Sequence, residues 1–140
     1  MTPAWVLHPD ITSDRSRRAA QPALAEAVAL AGALPGLNVV GSTVVRLPKP
    51  HPGALFGSGK IKELETLFKE NEVELVLVDG PVSPVQQRNL EKAWGVKLLD
   101  RTGLILEIFS DRAATREGVL QVEMAALSYQ RTRLVRAWTH

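Results

Sequence analysis

The chain has 140 residues, of which 45% are hydrophobic and 23% are charged, and its formal net charge is +2. This length and composition are typical of one globular domain, with room for a small appended unit. The absence of cysteine from the sequence excludes a disulfide framework, a thiolate metal site and a cysteine nucleophile.

The sequence shows no targeting signal and no membrane segment. The N-terminal residues MTPAW contain no basic region ahead of an apolar core. The longest weakly polar stretch, residues 23–34, is interrupted by Glu26 and is too short to cross a bilayer. We therefore expect a cytoplasmic protein without a membrane span.

Four short apolar runs predict β-strands, and helical patterns lie between them. The predicted strands are 5–7, 39–45, 75–78 and 96–99. Apolar stripes at helical spacing are formed by Leu24, Ala27, Val28, Ala31 and Leu34, and by Ile61, Leu64, Leu67 and Phe68. Because strands and helices alternate, residues 1–100 are predicted to form an α/β subdomain of two layers, with a small parallel sheet flanked by helices.

Local signals predict where the helices begin and end. Pro35-Gly36 is expected to stop the first helix after Leu34. Ser83, Pro84 and Gln86 form a capping-box pattern at the start of the third helix, and Gly95 is expected to end it.

Residues 101–140 are predicted to form an antiparallel helical hairpin appended to this body. The first helix is indicated by Leu104, Ile105, Ile108 and Phe109, and a polar turn follows up to Gly118. The second helix is indicated by a heptad-like series: Leu120, Met124, Leu127, Leu134 and Trp138. No stop signal follows Gly118, so we expect this helix to be cut short here, ahead of a further domain.

A glycine-rich turn, Gly57-Ser58-Gly59-Lys60, opens the second predicted helix. Such a turn can hold phosphate on free backbone N–H groups, but Ala54 and Ile61 occupy positions where a Walker motif needs glycine and a hydroxyl residue. Three interpretations stay open. The first is that Ser58 caps the helix while Lys60 is solvated. The second is that the turn makes a weak phosphate or RNA-backbone contact, and the third is that it forms a nucleotidase site.

No catalytic centre and no metal site is expected. The histidines His8, His51 and His140 lie far apart in sequence, which favours solvated or locally bonded imidazoles. Asp79-Gly80 follows the third strand, at the edge where α/β proteins bind ligands, although a turn also favours this pair for steric reasons.

Basic residues collect toward the C-terminus and include Arg112 and Arg116 beside the predicted hairpin turn. Arginines at the tip of a stiff two-helix arm can pair with phosphates or stack on bases. The alternative is a polar turn that is merely soluble.

Several strings then occur in a fixed order: Gly57–Lys60, Ser83–Glu91, Asp100–Leu106, Thr115–Gly118 and Gln121–Glu123. Together they closely resemble the N-terminal domain of the HflX-type translation GTPases. The resemblance is dense from Phe56 to His140 and looser before that.

This resemblance implies an α/β subdomain and two long antiparallel helices, followed in the family by a linker and a GTPase domain in cis that uses GTP and magnesium. It also implies that the whole protein binds the large ribosomal subunit and splits ribosomes. The ribosomal RNA contacts carried over are Arg112, Thr115, Arg116, Glu117 and Gly118.

The 140 residues contain no phosphate loop of the GTPase type, so we expect neither a cofactor nor GTP hydrolysis within them. Two alternatives to ribosome binding stay open. One is an adenine-nucleotide site at Gly57–Lys60, and the other is a scaffold that regulates the GTPase domain in cis.

Overall fold

The apolar runs form four parallel strands in the computed structural model, which describes residues 1–113. The strands are β1 (Thr2–Ile11), β2 (Leu37–Leu47), β3 (Leu75–Val78) and β4 (Lys97–Asp100), and their order in the sheet is β2-β1-β3-β4. The helices are α1 (Ala20–Ala31), α2 (Ser58–Glu70), α3 (Pro84–Trp94) and α4 (Arg101–Ala113). The predicted parallel sheet flanked by helices is confirmed.

Helices cover both faces of this sheet, and each face has its own apolar cluster. The cluster on one face includes residues of α1 and α4: Leu24, Ala27, Ala31, Leu104 and Ile108. The cluster on the other face includes residues of α2 and α3: Leu64, Phe68, Leu90 and Trp94. The molecule therefore has three layers, and the prediction of two layers is wrong, because the crossover helices lie on both sides of the sheet.

Helix α1 ends earlier than the apolar stripe predicts. Its last residue is Ala31 and its C-cap is Gly32, so the expectation that the helix runs to Leu34 is wrong. Two tight turns follow, in which the N–H groups of Ala33 and Leu34 donate to carbonyls three residues back. Leu34 still packs against the α1–α4 cluster, which explains why its spacing fits the stripe.

The start and end of α3 agree with the sequence signals. The Ser83 hydroxyl accepts from the Gln86 N–H at 3.1 Å, and the Gln86 side chain accepts from the Ser83 N–H at 2.9 Å. Gly95 ends the helix with a φ of 65°, a left-handed conformation that favours glycine. The predicted capping box is confirmed.

Polar side chains of α3 also hold neighbouring backbone. Gln87 donates to the Leu98 carbonyl at 3.1 Å, and Glu91 accepts from the Leu98 N–H at 3.0 Å, so both backbone groups of this β4 residue are bonded. Gln86 and Asn89 donate to carbonyls of the loop before α2, at His51 and Gly53. Much of the polar string Ser83–Glu91 therefore has a structural role.

Helix α4 follows β4 without a loop, and its first two turns belong to the α/β body. Leu104 and Ile108 are buried against the sheet, whereas Phe109 is 54% exposed. The rest of the predicted hairpin lies outside the described residues, so the hairpin and the domain boundary at residue 100 stay predictions. No helix within residues 1–113 is both long enough and apolar enough to cross a membrane.

The β1–β2 pairing depends on one glycine. Ala4 pairs with Val39 and Trp5 pairs with Gly41, so Val40 bulges out of the ladder. The Trp5 ring lies over Gly41, and its Nε1 donates to the Thr43 hydroxyl at 3.0 Å. A Cβ added at Gly41 would lie 2.3 Å from two ring carbons of Trp5.

We therefore expect Gly41→Ala to lower the free energy of unfolding by about 1–3 kcal/mol, the usual range for overpacking, because the buried indole must shift. Urea unfolding followed by tryptophan fluorescence measures the change. Gly36→Ala is the matched control, since a Cβ there meets nothing within 4 Å. Equal stabilities for the two variants would contradict this account of Gly41.

Candidate functional site

A cleft opens at the carboxyl edge of the sheet, between the ends of β1 and β3. The chain passes from β1 to β2 on one side and places β3 and β4 on the other, so this is the point at which the strand order reverses. In open α/β sheets ligands bind at such a point. The cleft has a volume of about 500 Å³ and is lined by His8, Pro9, Ile11, Asp14, Ser16, Arg17, Arg18, Leu55, Asp79, Gly80, Pro81 and Arg101.

The carboxylate of Asp79 contacts three other charged or polar side chains of this lining. Its side chain is only 3% exposed, and its backbone N–H donates to the Leu7 carbonyl of β1 at 2.8 Å. Oδ1 accepts from Arg101 at 2.8 Å, whereas Oδ2 accepts from His8 Nδ1 at 2.9 Å and lies 3.5 Å from Arg18. Because a carboxylate only accepts, His8 carries its proton on Nδ1 in this contact.

Glu26 of α1 completes a ring of charges around Asp79. It accepts from Arg101 at 2.9 Å and from Arg18 at 2.7 Å, so both arginines bridge the same two carboxylates. The hydrogen bond from Arg101, and then the charge of Arg18, lower the pKa of Glu26. The bonds to Glu26 and then Asp79 raise the pKa of Arg101. The stabilisation from Glu26 is therefore present at neutral pH and is lost as the pH falls through its lowered pKa.

A second group of charges borders the cleft on the β2 side. Arg17 donates to Asp10 at 2.9 Å, and Arg46 of β2 lies 3.4 Å from the other oxygen of Asp10. Asp14 accepts from both the backbone and the hydroxyl of Ser16, and these bonds lower its pKa. Carboxylates thus hold the arginines of the cleft. These contacts among the described residues use only some of the five N–H donors of each guanidinium group.

The Gly57–Lys60 turn lies apart from this cleft. None of its four residues is part of the cleft lining. The interpretation that Ser58 caps α2 is wrong, because Gly57 is the N-cap and no side chain caps the helix. Lys60 pairs with Glu63 at 2.9 Å. A phosphate contact by this turn stays a prediction.

Of the predicted ribosomal RNA contacts, only Arg112 lies within residues 1–113, which the structure describes. Arg112 belongs to the last turn of α4, and Thr115, Arg116, Glu117 and Gly118 lie outside the described residues, as does His140. Their role stays a prediction.

Most residues of the cleft were not predicted as site residues from the sequence. Neither Asp79 nor Gly80 has a positive φ, so the steric explanation of this pair is not supported, and His8 is bonded to a residue 71 positions away rather than locally. One available signal was the string Ser13–Arg18, which places three arginines directly after a strand.

The string Asp100–Gly103 has the D-x-x-G spacing of a GTPase switch, but its geometry is that of a helix start. Asp100 is 2% exposed, and its Oδ1 accepts from the Gly103 N–H at 2.9 Å. Within residues 1–113, no group of three or more His, Asp or Glu side chains is arranged to hold a metal ion.

Comparison with known proteins identifies similar sequences. Residues 21–110 match the family described as GTP-binding GTPase N-terminal, and residues 112–140 match the GTP-binding GTPase Middle Region. A GTPase HflX from Magnetococcus marinus is 48% identical over 134 residues, which are 96% of this chain and 30% of that protein. A GTPase HflX from Escherichia coli is 50% identical over 91 residues, 65% of this chain and 21% of that protein. The chain spans less than a third of either relative.

Solved structures with the same fold are more distant in sequence. A GTP-binding protein from the archaeon Sulfolobus solfataricus, crystallised with GDP, has a TM-score of 0.67 and 23% identity over 96% of this chain and 38% of its own. At this identity the similarity concerns the fold alone.

We expect Asp79→Asn to lower the free energy of unfolding by about 1–3 kcal/mol at neutral pH, because the buried partner of two arginines and His8 loses its charge. Urea unfolding measures this change. The control is Asp14→Asn, an exposed carboxylate on the same cleft, for which we expect a clearly smaller loss. A loss at Asp79 no larger than that at Asp14 would show that the cluster does not stabilise the fold.

Glu107 lines a second cavity, at the amino edge of the sheet, and should make the stability of the fold depend on pH. Burial, and then the charge of Asp111, raise the pKa of Glu107. An acid whose pKa is raised by folding destabilises the native state as the pH rises through that interval. Glu107→Gln should therefore raise the Tm at pH 7 and leave it unchanged at about pH 3, where the glutamate is almost fully protonated in both states. A Tm gain of equal size at both pH values would contradict this cause.

Proposed function

This chain belongs to the GTP-binding GTPase N-terminal family, and we propose that it is the ribosome-docking module of an HflX-type GTPase. The module binds ribosomal RNA of the large subunit in the cytoplasm and so takes part in ribosome splitting. Because the chain holds no GTPase-type phosphate loop, we assign GTP, magnesium and GTP hydrolysis to a GTPase domain in cis.

The observation that carries this proposal is the attachment of α4 to the body. Arg101, the first residue of α4, donates hydrogen bonds to Asp79 and Glu26. Leu104 and Ile108, in the first two turns of this helix, are buried. A helix fixed in this way gives the segment that follows it a defined starting position. Because these first turns of α4 are already fixed, less entropy is lost when the segment that follows them binds a large partner.

The segment that follows these turns of α4 has the chemistry that RNA binding requires. Arg112 and Arg116 are four positions apart, and Thr115, Glu117 and Gly118 complete the proposed contact region. Guanidinium groups bind phosphate through paired hydrogen bonds and stack on unpaired bases. The proposal assigns these five residues to the ribosomal RNA contact.

Replacing Arg112 and Arg116 together with alanine should weaken binding to purified large ribosomal subunits at least about tenfold, or roughly 1.4 kcal/mol. Binding releases fewer counterions when a phosphate contact is lost. The slope of log affinity against log salt should therefore also become shallower, by about 1 for each lost contact. Sedimentation of the 140-residue chain with subunits over a series of salt concentrations measures both quantities.

The control is Arg88→Ala, which removes an exposed arginine of α3 on the body. We expect this variant to keep the affinity and the salt slope of the parent chain. Unchanged binding in the double variant, or an equal loss in Arg88→Ala, would contradict an RNA contact centred on residues 112–118.

A further inference from the structure

The cleft at the sheet reversal point has two kinds of wall. One part is apolar and is formed by Pro9, Ile11, Leu55 and Pro81. The other part carries Arg17, Arg18, Arg101 and His8. A concave site of about 500 Å³ lies within the size range of small-molecule sites, and such sites combine apolar walls with a few convergent polar groups.

Two carboxylates outside the lining, besides Asp79 on it, position the arginines of the cleft. Asp10 holds Arg17, and Glu26 holds both Arg18 and Arg101. The side chains of Arg17 and Arg18 remain 41% and 48% exposed. Because a guanidinium has five N–H donors, each of these arginines keeps donors for another acceptor while its orientation is already fixed.

We propose that this cleft binds a small phosphorylated molecule, with its phosphate on Arg17 and Arg18 and its carbon skeleton against the apolar wall. Phosphate suits a lining that carries two exposed guanidinium groups, since it offers several oxygens to paired donors. A small molecule fits better than a nucleic acid chain because the apolar residues lie within a cleft. This site is independent of the ribosome contact proposed for residues 112–118.

Two carboxylates on the lining limit where the phosphate sits. Asp79 is almost fully buried and engaged by His8 and Arg101, so its charge is neutralised locally. Asp14 is exposed and stays ionised, because bonds from Ser16 lower its pKa. An anion in the cleft is repelled by Asp14, so Asp14→Asn should strengthen binding. The amide keeps an oxygen that can accept from Ser16.

The test is a titration of the isotope-labelled 140-residue chain with inorganic phosphate, phenyl phosphate and phenol, followed by NMR. We expect saturable shifts of the backbone amides around His8, Ser16 and Gly80 with phenyl phosphate. Its affinity should be about tenfold above that of inorganic phosphate, because the ring is partly buried, and phenol should not bind measurably.

Variants locate the phosphate. Arg17→Ala and Arg18→Ala should each weaken phenyl phosphate binding about tenfold or more, whereas Asp14→Asn should strengthen it several-fold. Arg15→Ala is the matched control, because Arg15 lies in the same loop but not on the cleft lining, and its affinity should equal that of the parent chain.

Several results would overturn the proposal. They are a linear, unsaturated response, an equal loss in Arg15→Ala, and shifts confined to the Gly57–Lys60 amides. Tighter binding of a short RNA without a terminal phosphate at the same arginines would assign the cleft to RNA instead. A gain in Asp14→Asn still decides the matter if the arginine variants fail to fold.

Discussion

A charge that is shut off from water is stable only when hydrogen-bond donors surround it, and the carboxylate of Asp79 imposes this constraint on the whole carboxyl edge. Its donors come from β1, from the loop before α1 and from the first residue of α4. Arg18 and Arg101, two of these donors, also donate to Glu26 of α1. One buried group thus fixes two strands and two helices relative to one another.

The polar residues of α3 are separate from this group of charges at the carboxyl edge. The polar residues of α3 are used to hold β4 and the loop before α2, which leaves them committed to the fold. The cleft and the start of α4 share Arg101, so the proposed small-molecule site and the beginning of the helix that leads to the proposed ribosome contact lie at the same carboxyl edge of the sheet.

Local patterns predicted the elements well because each depends on neighbouring residues. The buried runs of β3 and β4, the stripe of α2 and the capping box at Ser83 are of this kind. The cleft was not predictable in the same way, since His8, Asp79 and Arg101 come from three separate parts of the chain. Family membership followed from several strings in fixed order, whereas the ribosome contact remains a proposal because its residues lie at or beyond the end of α4.

The most direct test of the central constraint is a double-mutant cycle between Asp79→Asn and Arg101→Gln, with the free energy of unfolding as the readout. If the two side chains stabilise the fold through each other, the double variant should lose less than the sum of the single losses. We predict a coupling energy of at least about 1 kcal/mol, within the range found for contacting residues. Losses that add to within about 0.3 kcal/mol would contradict the account, because they would show that Asp79 does not fix α4 through Arg101.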